Sequence, residues 1–275
     1  WKLRNKIQGF DMSSKFFEMV DANHILVNHE YKGVFKIKVD KELTNVEEVS
    51  KDTSVEKGIT SSLINYNKNI LYAYKEGVFK YNIEKQTFLK DTLLSNLVDE
   101  VEYSTGKLVY DEKTNKLWGF SSKNLNFIAP GKLSSTPKVS NVPFSIALPR
   151  GLTGYENISH LYDQKYLIGA SSGYVILDLD KIQEKTYKVN INSITISDLD
   201  SIIETVKIAK EGEFNNNFNN VEFTFSVPEF DKYLDTEYQY QLEGIDTHWS
   251  PWSNSSSATF KYLPFGSYVF NVRAK

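Results

Sequence analysis

The sequence predicts an all-β chain, with β-propeller blades built as four-stranded repeats followed by an immunoglobulin- or fibronectin-like β-sandwich. Three observations lead there. A strand–turn–strand pattern recurs four times upstream of Tyr187. From Val189 onward, short runs alternate bulky apolar residues with polar ones, the period of a half-buried strand. The last stretch, Tyr238 to Lys275, reads as strand, loop, strand, tight turn and strand.

The repeats are Asn23 to Val39, Asn67 to Asn82, Asn115 to Ile128 and Gln164 to Leu179. Aligned on Leu26, Leu71, Leu117 and Leu167 they are 45, 46 and 50 residues apart, the drifting period of propeller blades. A twisted four-stranded sheet cannot cover its own apolar faces, so neighbouring blades must pack face to face. Leu71, Ala73, Val78 and Phe79 illustrate the contact layer this requires. Gly33, Gly77 and Gly173 fall at the hairpin turn, where a positive φ favours glycine, and Asn124 takes that place in the third repeat. Four blades account for nearly everything before Tyr187. Because Trp1 to Phe10 reads as the middle of a strand region, residues 1–186 are expected to be the C-terminal part of a larger propeller.

A polar segment, Lys181 to Lys188, then leads into the sandwich, and the boundary is expected near Thr186. Residues 187–275 hold alternating runs at Val189 to Ile196, Ile202 to Ile208 and Val221 to Phe225, with a polar hairpin tip at Glu211 to Asn220. With the C-terminal strands this makes about seven, enough for a sandwich.

Tyr238 to Gly244 reads Tyr-x-Tyr-x-Leu-Glu-Gly, Asp246 and Trp249 follow, and Leu263 to Tyr268 reads Leu-Pro-x-Gly-x-Tyr. This composite resembles the triple-tyrosine (Y_Y_Y) domain, a sandwich of large bacterial sensor proteins. Asp111 to Gly119, with Trp118, resembles the two-component regulator propeller repeat, which commonly precedes that domain; the positions equivalent to Trp118 are Val27, Tyr72 and Ile168. The resemblance implies a periplasmic sensor region that binds an external signal, a carbohydrate among the candidates, and relays it through the sandwich to a cytoplasmic histidine kinase. It also implies a homodimer in the full-length protein and a membrane tether after Lys275. A membrane-linked LuxR-type regulator and a secreted carbohydrate-active propeller enzyme are the alternatives. Trp249 is read as a clamp on the sandwich core, and Trp252 as a contact residue.

Composition and motifs narrow the chemistry. A net charge of −3 with no Lys/Arg run argues against a nucleic-acid surface. No apolar stretch reaches the ~20 residues a membrane helix needs. Without cysteine there is neither disulfide nor thiolate metal site. His24, His29, His160 and His248 lack metal-ligand spacing, although His24 and His29 could approach across a turn. The pairs Asp178/Asp180 and Asp198/Asp200 do not continue into a calcium loop. Nucleophile elbows, phosphate loops and dinucleotide fingerprints are missing. The expectation is therefore a non-enzymatic fragment with no catalytic residue, no metal, no cofactor and no ligand-binding residue assignable from sequence.

Overall fold

A computed structural model of the chain describes residues 6–98, 103–130, 137–143, 152–182, 187–198, 203–209, 211–215, 217–229 and 236–275. Trp1 to Asn5 and Gln183 to Thr186, on which the expected strand start and domain boundary fall, lie outside the described residues. The chain divides into two compact units, Trp1–Ile182 and Gln183–Lys275.

The first unit is a series of antiparallel meanders. Sheet one joins β1 (Phe16–Met19), β2 (His24–His29), β3 (Gly33–Val39) and β4 (Val46–Lys51). Sheet two joins β5 (Ser62–Tyr66), β6 (Asn69–Tyr74), β7 (Gly77–Asn82) and β8 (Thr87–Asp91), followed by the single-turn helix α1 (Thr92–Ser95). Sheet three joins β9 (Leu108–Asp111), β10 (Lys116–Phe120), β11 (Asn124–Pro130) and β12 (Pro137–Pro143). Sheet four has three strands among the described residues: β13 (Ile158–Tyr162), β14 (Lys165–Ala170) and β15 (Gly173–Asp178). Each predicted repeat is thus the hairpin of the second and third strands of one sheet.

Strand alternation makes these sheets stack. In β6, Ile70, Tyr72 and Tyr74 pack toward sheet one, against Leu26 and Val34, while Leu71 and Ala73 pack toward sheet three, against Leu108 and Leu117. Successive side chains of a strand point to opposite faces, so a strand buried on both sides is apolar throughout. Sheet three repeats this, with Leu117 facing sheet two and Trp118 and Phe120 facing Tyr166 and Ile168 of sheet four. The first strands β1, β5, β9 and β13 neighbour one another in that order.

Two sequence expectations shift. Asn124 does not take up the left-handed backbone that Gly33 (φ 102°), Gly77 (φ 123°) and Gly173 (φ 145°) adopt. Its hairpin closes instead through the Ser121 hydroxyl, which accepts from the Asn124 N–H and donates to its carbonyl, both at 3.1 Å. The third repeat is also displaced by one residue. Counted back from the strand-opening residues Gly77, Asn124 and Gly173, Trp118 and not Leu117 aligns with Leu71 and Leu167. Leu26, Leu71 and Trp118 all face the following sheet and are buried.

The second unit is a sandwich of two sheets. One joins β16 (Asn190–Ser197), β17 (Ile203–Val206), β18 (Asn220–Ser226) and β20 (Ser257–Phe260) in the order β17-β16-β18-β20. The other pairs β19 (Tyr238–Glu243) with β21 (Val269–Ala274). That gives six strands among the described residues, where the sequence pointed to about seven; Ile202, the first residue of one predicted run, lies outside them. The core between the sheets is aromatic: Phe223 stacks on Phe270 with centroids 3.9 Å apart, and Phe225 meets Tyr238 edge-on at 5.2 Å.

Candidate functional site

The residues that open the first strands converge at one end of the stacked sheets. Lys15 precedes β1, Thr60 and Ser61 precede β5, Tyr103 to Lys107 lead into β9, and Gly154 to Asn157 lead into β13. Glu30 joins them from the β2–β3 turn. Because every sheet runs in the same up-and-down order, these segments and turns share an end.

Charge and aromatic surface meet there. Lys15 Nζ pairs with Glu30 Oε1 at 3.1 Å, both side chains largely covered, and lies 4.1 Å from the Tyr155 ring centroid. Lys107 Nζ lies 4.5 Å from the centroid of Phe16, whose ring Lys15 also approaches, at 5.5 Å. Glu156 turns back on its own loop, where Oε2 accepts from the Gly154 N–H at 2.8 Å. Gly154 is buried at φ +81°, and a Cβ there would come within 2.4 Å of Lys15 Nζ, so a glycine lets the loop descend onto that ammonium.

The backbone beside the cluster is held in an uncommon conformation. Thr60 has φ 58°, an outlier for a β-branched residue. Its carbonyl accepts from the Gly106 N–H at 3.0 Å, and its hydroxyl donates to the Ile59 carbonyl at 2.7 Å and sits 3.2 Å from the Tyr103 hydroxyl. Tyr103 in turn donates to the Ile59 carbonyl at 3.0 Å.

Protonation follows burial. Tyr103 is pushed above the usual phenol range by desolvation, which its bond to Thr60 only partly offsets. Desolvation also raises Tyr72, which donates to the Glu56 carbonyl, and lifts Tyr74, beside Glu76, to about 12. Lys107 is pushed down, first by desolvation and then by the neighbouring charge of Lys15, with Glu156 opposing. A polar recess of about 390 Å³ lies apart from this cluster, beside the β6–β7 turn, and its lining includes Lys75, Lys90, Ser95, Asn96, Asn126 and Asn141.

The four histidines and Asp178, picked out in the sequence, are engaged by local partners instead. His24 and His29 stand at opposite ends of β2 and so do not approach across a turn; His24 bonds Asp21 and His29 accepts from the Tyr31 N–H. His160 lies 3.0 Å from the Asp163 carbonyl, and His248 bonds Thr247. Asp178 caps the turn at Leu179–Lys181 by accepting from the Asp180 N–H, and Asp200 lies outside the described residues. Among the described residues no three His, Asp or Glu side chains come together. No helix among them is long and apolar enough to cross a membrane.

Trp249 also differs from expectation. It lies outside the sandwich core, with its ring 4.3 Å from the Arg273 guanidinium, and Trp252 lies 4.4 Å from Lys275 Nζ. Arg273 alternates with the core-facing Val272 and Ala274, so it points to the opposite face of β21.

Tyr238, Tyr240 and Leu242 point inward from β19, and Tyr268 folds its hydroxyl onto the Pro264 carbonyl at 2.6 Å, which closes the turn before β21. Residues 229–275 match the Y_Y_Y domain. The Y_Y_Y match spans the β19–β21 pair, β20 and the Trp249 loop. Solved structures similar to the chain include the extracellular domain assigned to a hybrid two-component system, BT3049, of B. thetaiotaomicron, at 17% identity, TM-score 0.43, 95% of this chain and 42% of that one. Another is the extracellular domain assigned to a one-component system, BT4673, of the same organism, at 16% identity, TM-score 0.38, 91% of this chain and 40% of that one. The chain therefore spans well under half of either. No match was found among curated proteins.

Proposed function

We propose that this chain is part of the periplasmic sensor region of a bacterial signal-transduction protein of the two-component histidine kinase kind. The first unit, as the C-terminal part of a larger propeller, binds an external signal, and the Y_Y_Y sandwich relays it toward a membrane tether and a cytoplasmic output. The observation that carries this reading is the Y_Y_Y match at residues 229–275, downstream of stacked meander sheets. The cluster of Lys15, Glu30, Thr60, Tyr103, Lys107, Tyr155 and Glu156 supports it as the place where the ligand docks, since few polar groups converging among aromatic rings are what orients a small ligand. A ligand can move the output only by favouring one arrangement of the protein over another. The fragment binds without turnover, and the full-length protein works as a homodimer.

The test uses the full-length protein in membrane vesicles. Oligosaccharides that bind the 275-residue chain in calorimetry are added, and autophosphorylation, target-gene transcription and sugar hydrolysis are followed together. A ligand-dependent rise in phosphorylation with the sugar intact is expected. Hydrolysis of the bound sugar, or binding that leaves both outputs unchanged, overturns the proposal.

A further inference from the structure

Lys107 stands out because its surroundings are half assembled. The residue is half-buried, yet no carboxylate among the described residues forms an ion pair with it. The two acids nearby are otherwise engaged, Glu30 by Lys15 and Glu156 by the Gly154 N–H. The Phe16 ring compensates in part, but the same ring also meets Lys15, so two like charges share one aromatic ring. A charge drawn out of water without a partner costs free energy, and folded proteins ordinarily pair it. The lowered proton affinity of Lys107 reports that cost.

We propose that the end of the first unit where Lys15 and Lys107 meet binds an anionic group, a carboxylate or a sulfate, carried on a ligand whose ring lies against Tyr155. Lys107 supplies the unshared charge. Lys15, already shared with Glu30, adds field and holds Tyr155 in place through its 4.1 Å contact. The exposed ring of Tyr155 offers the flat apolar surface that a sugar or aromatic ring needs. Thr60, held at φ 58° by its bonds to Gly106 and Tyr103, and Gly154, whose φ of +81° costs a glycine nothing, fix the paths of the two lining loops. This inference rests on the reading of that end as the ligand site.

The experiment titrates the 275-residue chain with D-glucuronate, D-glucose 6-sulfate and D-glucose by calorimetry at fixed ionic strength, in wild type, Lys107→Met and Lys107→Arg. Glucuronate or glucose 6-sulfate is expected to bind, more weakly as NaCl is raised, and glucose is not. Which of the two binds distinguishes carboxylate from sulfate. Lys107→Met should weaken anion binding by about tenfold or more, and Lys107→Arg by only a few fold. Thermal unfolding of Lys107→Met without ligand should show a Tm at or above wild type, since an unpaired charge has been removed and the fold kept. Equal binding of glucose and glucuronate, absence of binding by both anions, or wild-type affinity in Lys107→Met each overturns the inference. A neutral ligand that drives the full-length output regardless of Lys107→Met would sink the anion site and leave the sensor reading standing. Anion binding at Lys107 with a silent output would do the reverse.

Discussion

Trp118 and Tyr166 face each other across the third and fourth sheets with ring centroids 4.9 Å apart, and both are fully buried. They join sheets whose backbone ladders are separate, so the interface depends on side-chain packing. Trp118→Ala leaves a cavity at its centre and is expected to cost about 3–5 kcal/mol. Chemical denaturation followed by circular dichroism checks it, and a loss below about 1 kcal/mol would contradict the packing described.

Tyr166 also carries a polar duty. Its hydroxyl receives the buried Lys116 ammonium at 2.9 Å and donates to Thr114 at 2.9 Å, leaving Lys116 only Gln164, at 3.4 Å, as a further partner among the described residues. Tyr166→Phe should therefore cost about 1–3 kcal/mol although the ring remains. Adding Lys116→Met should recover most of that loss, because the stranded charge is removed. A double-mutant cycle from denaturation midpoints measures the coupling, and strict additivity would count against it.

Register explains a contrast between two leucines. Leu71 and Leu167 occupy the same place in sheets two and four, yet Leu71 is fully buried while Leu167 shares its face with the exposed Ile176 and Tyr174. Leu71→Ala is expected to cost about 2–5 kcal/mol and Leu167→Ala less than about 1 kcal/mol in this chain. Equal losses in thermal melts would show that the fourth sheet is covered.

The central hairpins were legible in the sequence because each combines a strong apolar run with a turn residue. The outer strands were not: β4 reads Val-Glu-Glu-Val-Ser-Lys and exposes nearly every side chain, so no periodic signal marks it. The one-residue slip at Trp118 has a similar cause, since Leu117 and Trp118 are both apolar and buried and face different sheets. The Lys15, Glu30, Lys107 and Glu156 cluster was invisible for another reason. Its members come from sheets one, three and four, and only sheet stacking brings Lys107 and Glu156 to the Lys15–Glu30 pair. Their shared position, at the start of a first strand or in a hairpin turn, was the available signal. Trp249 was misjudged because its place in the Y_Y_Y resemblance was read as a core position, whereas its ring lies over Arg273 on the outer face of β21.

Alkaline pH should unfold the chain through its buried phenols. Tyr74, raised to about 12, and Tyr72 and Tyr103, also raised by burial, keep their protons in the folded chain at pH values where the unfolded chain, near 10, releases them. The folded state then binds more protons, so stability is fully present below about pH 10 and falls as pH climbs through the raised values. Lys107, whose folded value is lowered, acts in the opposite sense at and below its usual value of 10.5. Urea midpoints from about pH 9 upward should fall, less steeply in Tyr74→Phe, with tyrosinate absorbance appearing together with unfolding. Absorbance that rises fully before unfolding would refute burial as the cause.

On the sandwich, Arg273 is clamped from two sides. Gln239 Oε1 accepts from its Nε at 3.0 Å and its Nη2 at 2.6 Å, and the guanidinium lies 4.3 Å from the ring centroid of Trp249 and 5.5 Å from that of Trp252. A cation over a partly exposed indole is worth about 0.5–1 kcal/mol, far less than a ring filling a core. Trp249→Ala is therefore expected to cost about 1–2 kcal/mol, the cation contact plus the apolar area uncovered. Phe225→Ala removes a ring from the middle of the aromatic core, between Tyr238 and Phe270, and should cost about 3–5 kcal/mol. Arg273→Lys should lose the Gln239 fork and part of the indole contact, because an ammonium cannot offer a planar face to both. Differential scanning of the four proteins orders them: wild type highest, Arg273→Lys and Trp249→Ala slightly below, Phe225→Ala well below. A Trp249→Ala loss as large as that of Phe225→Ala would return Trp249 to the core.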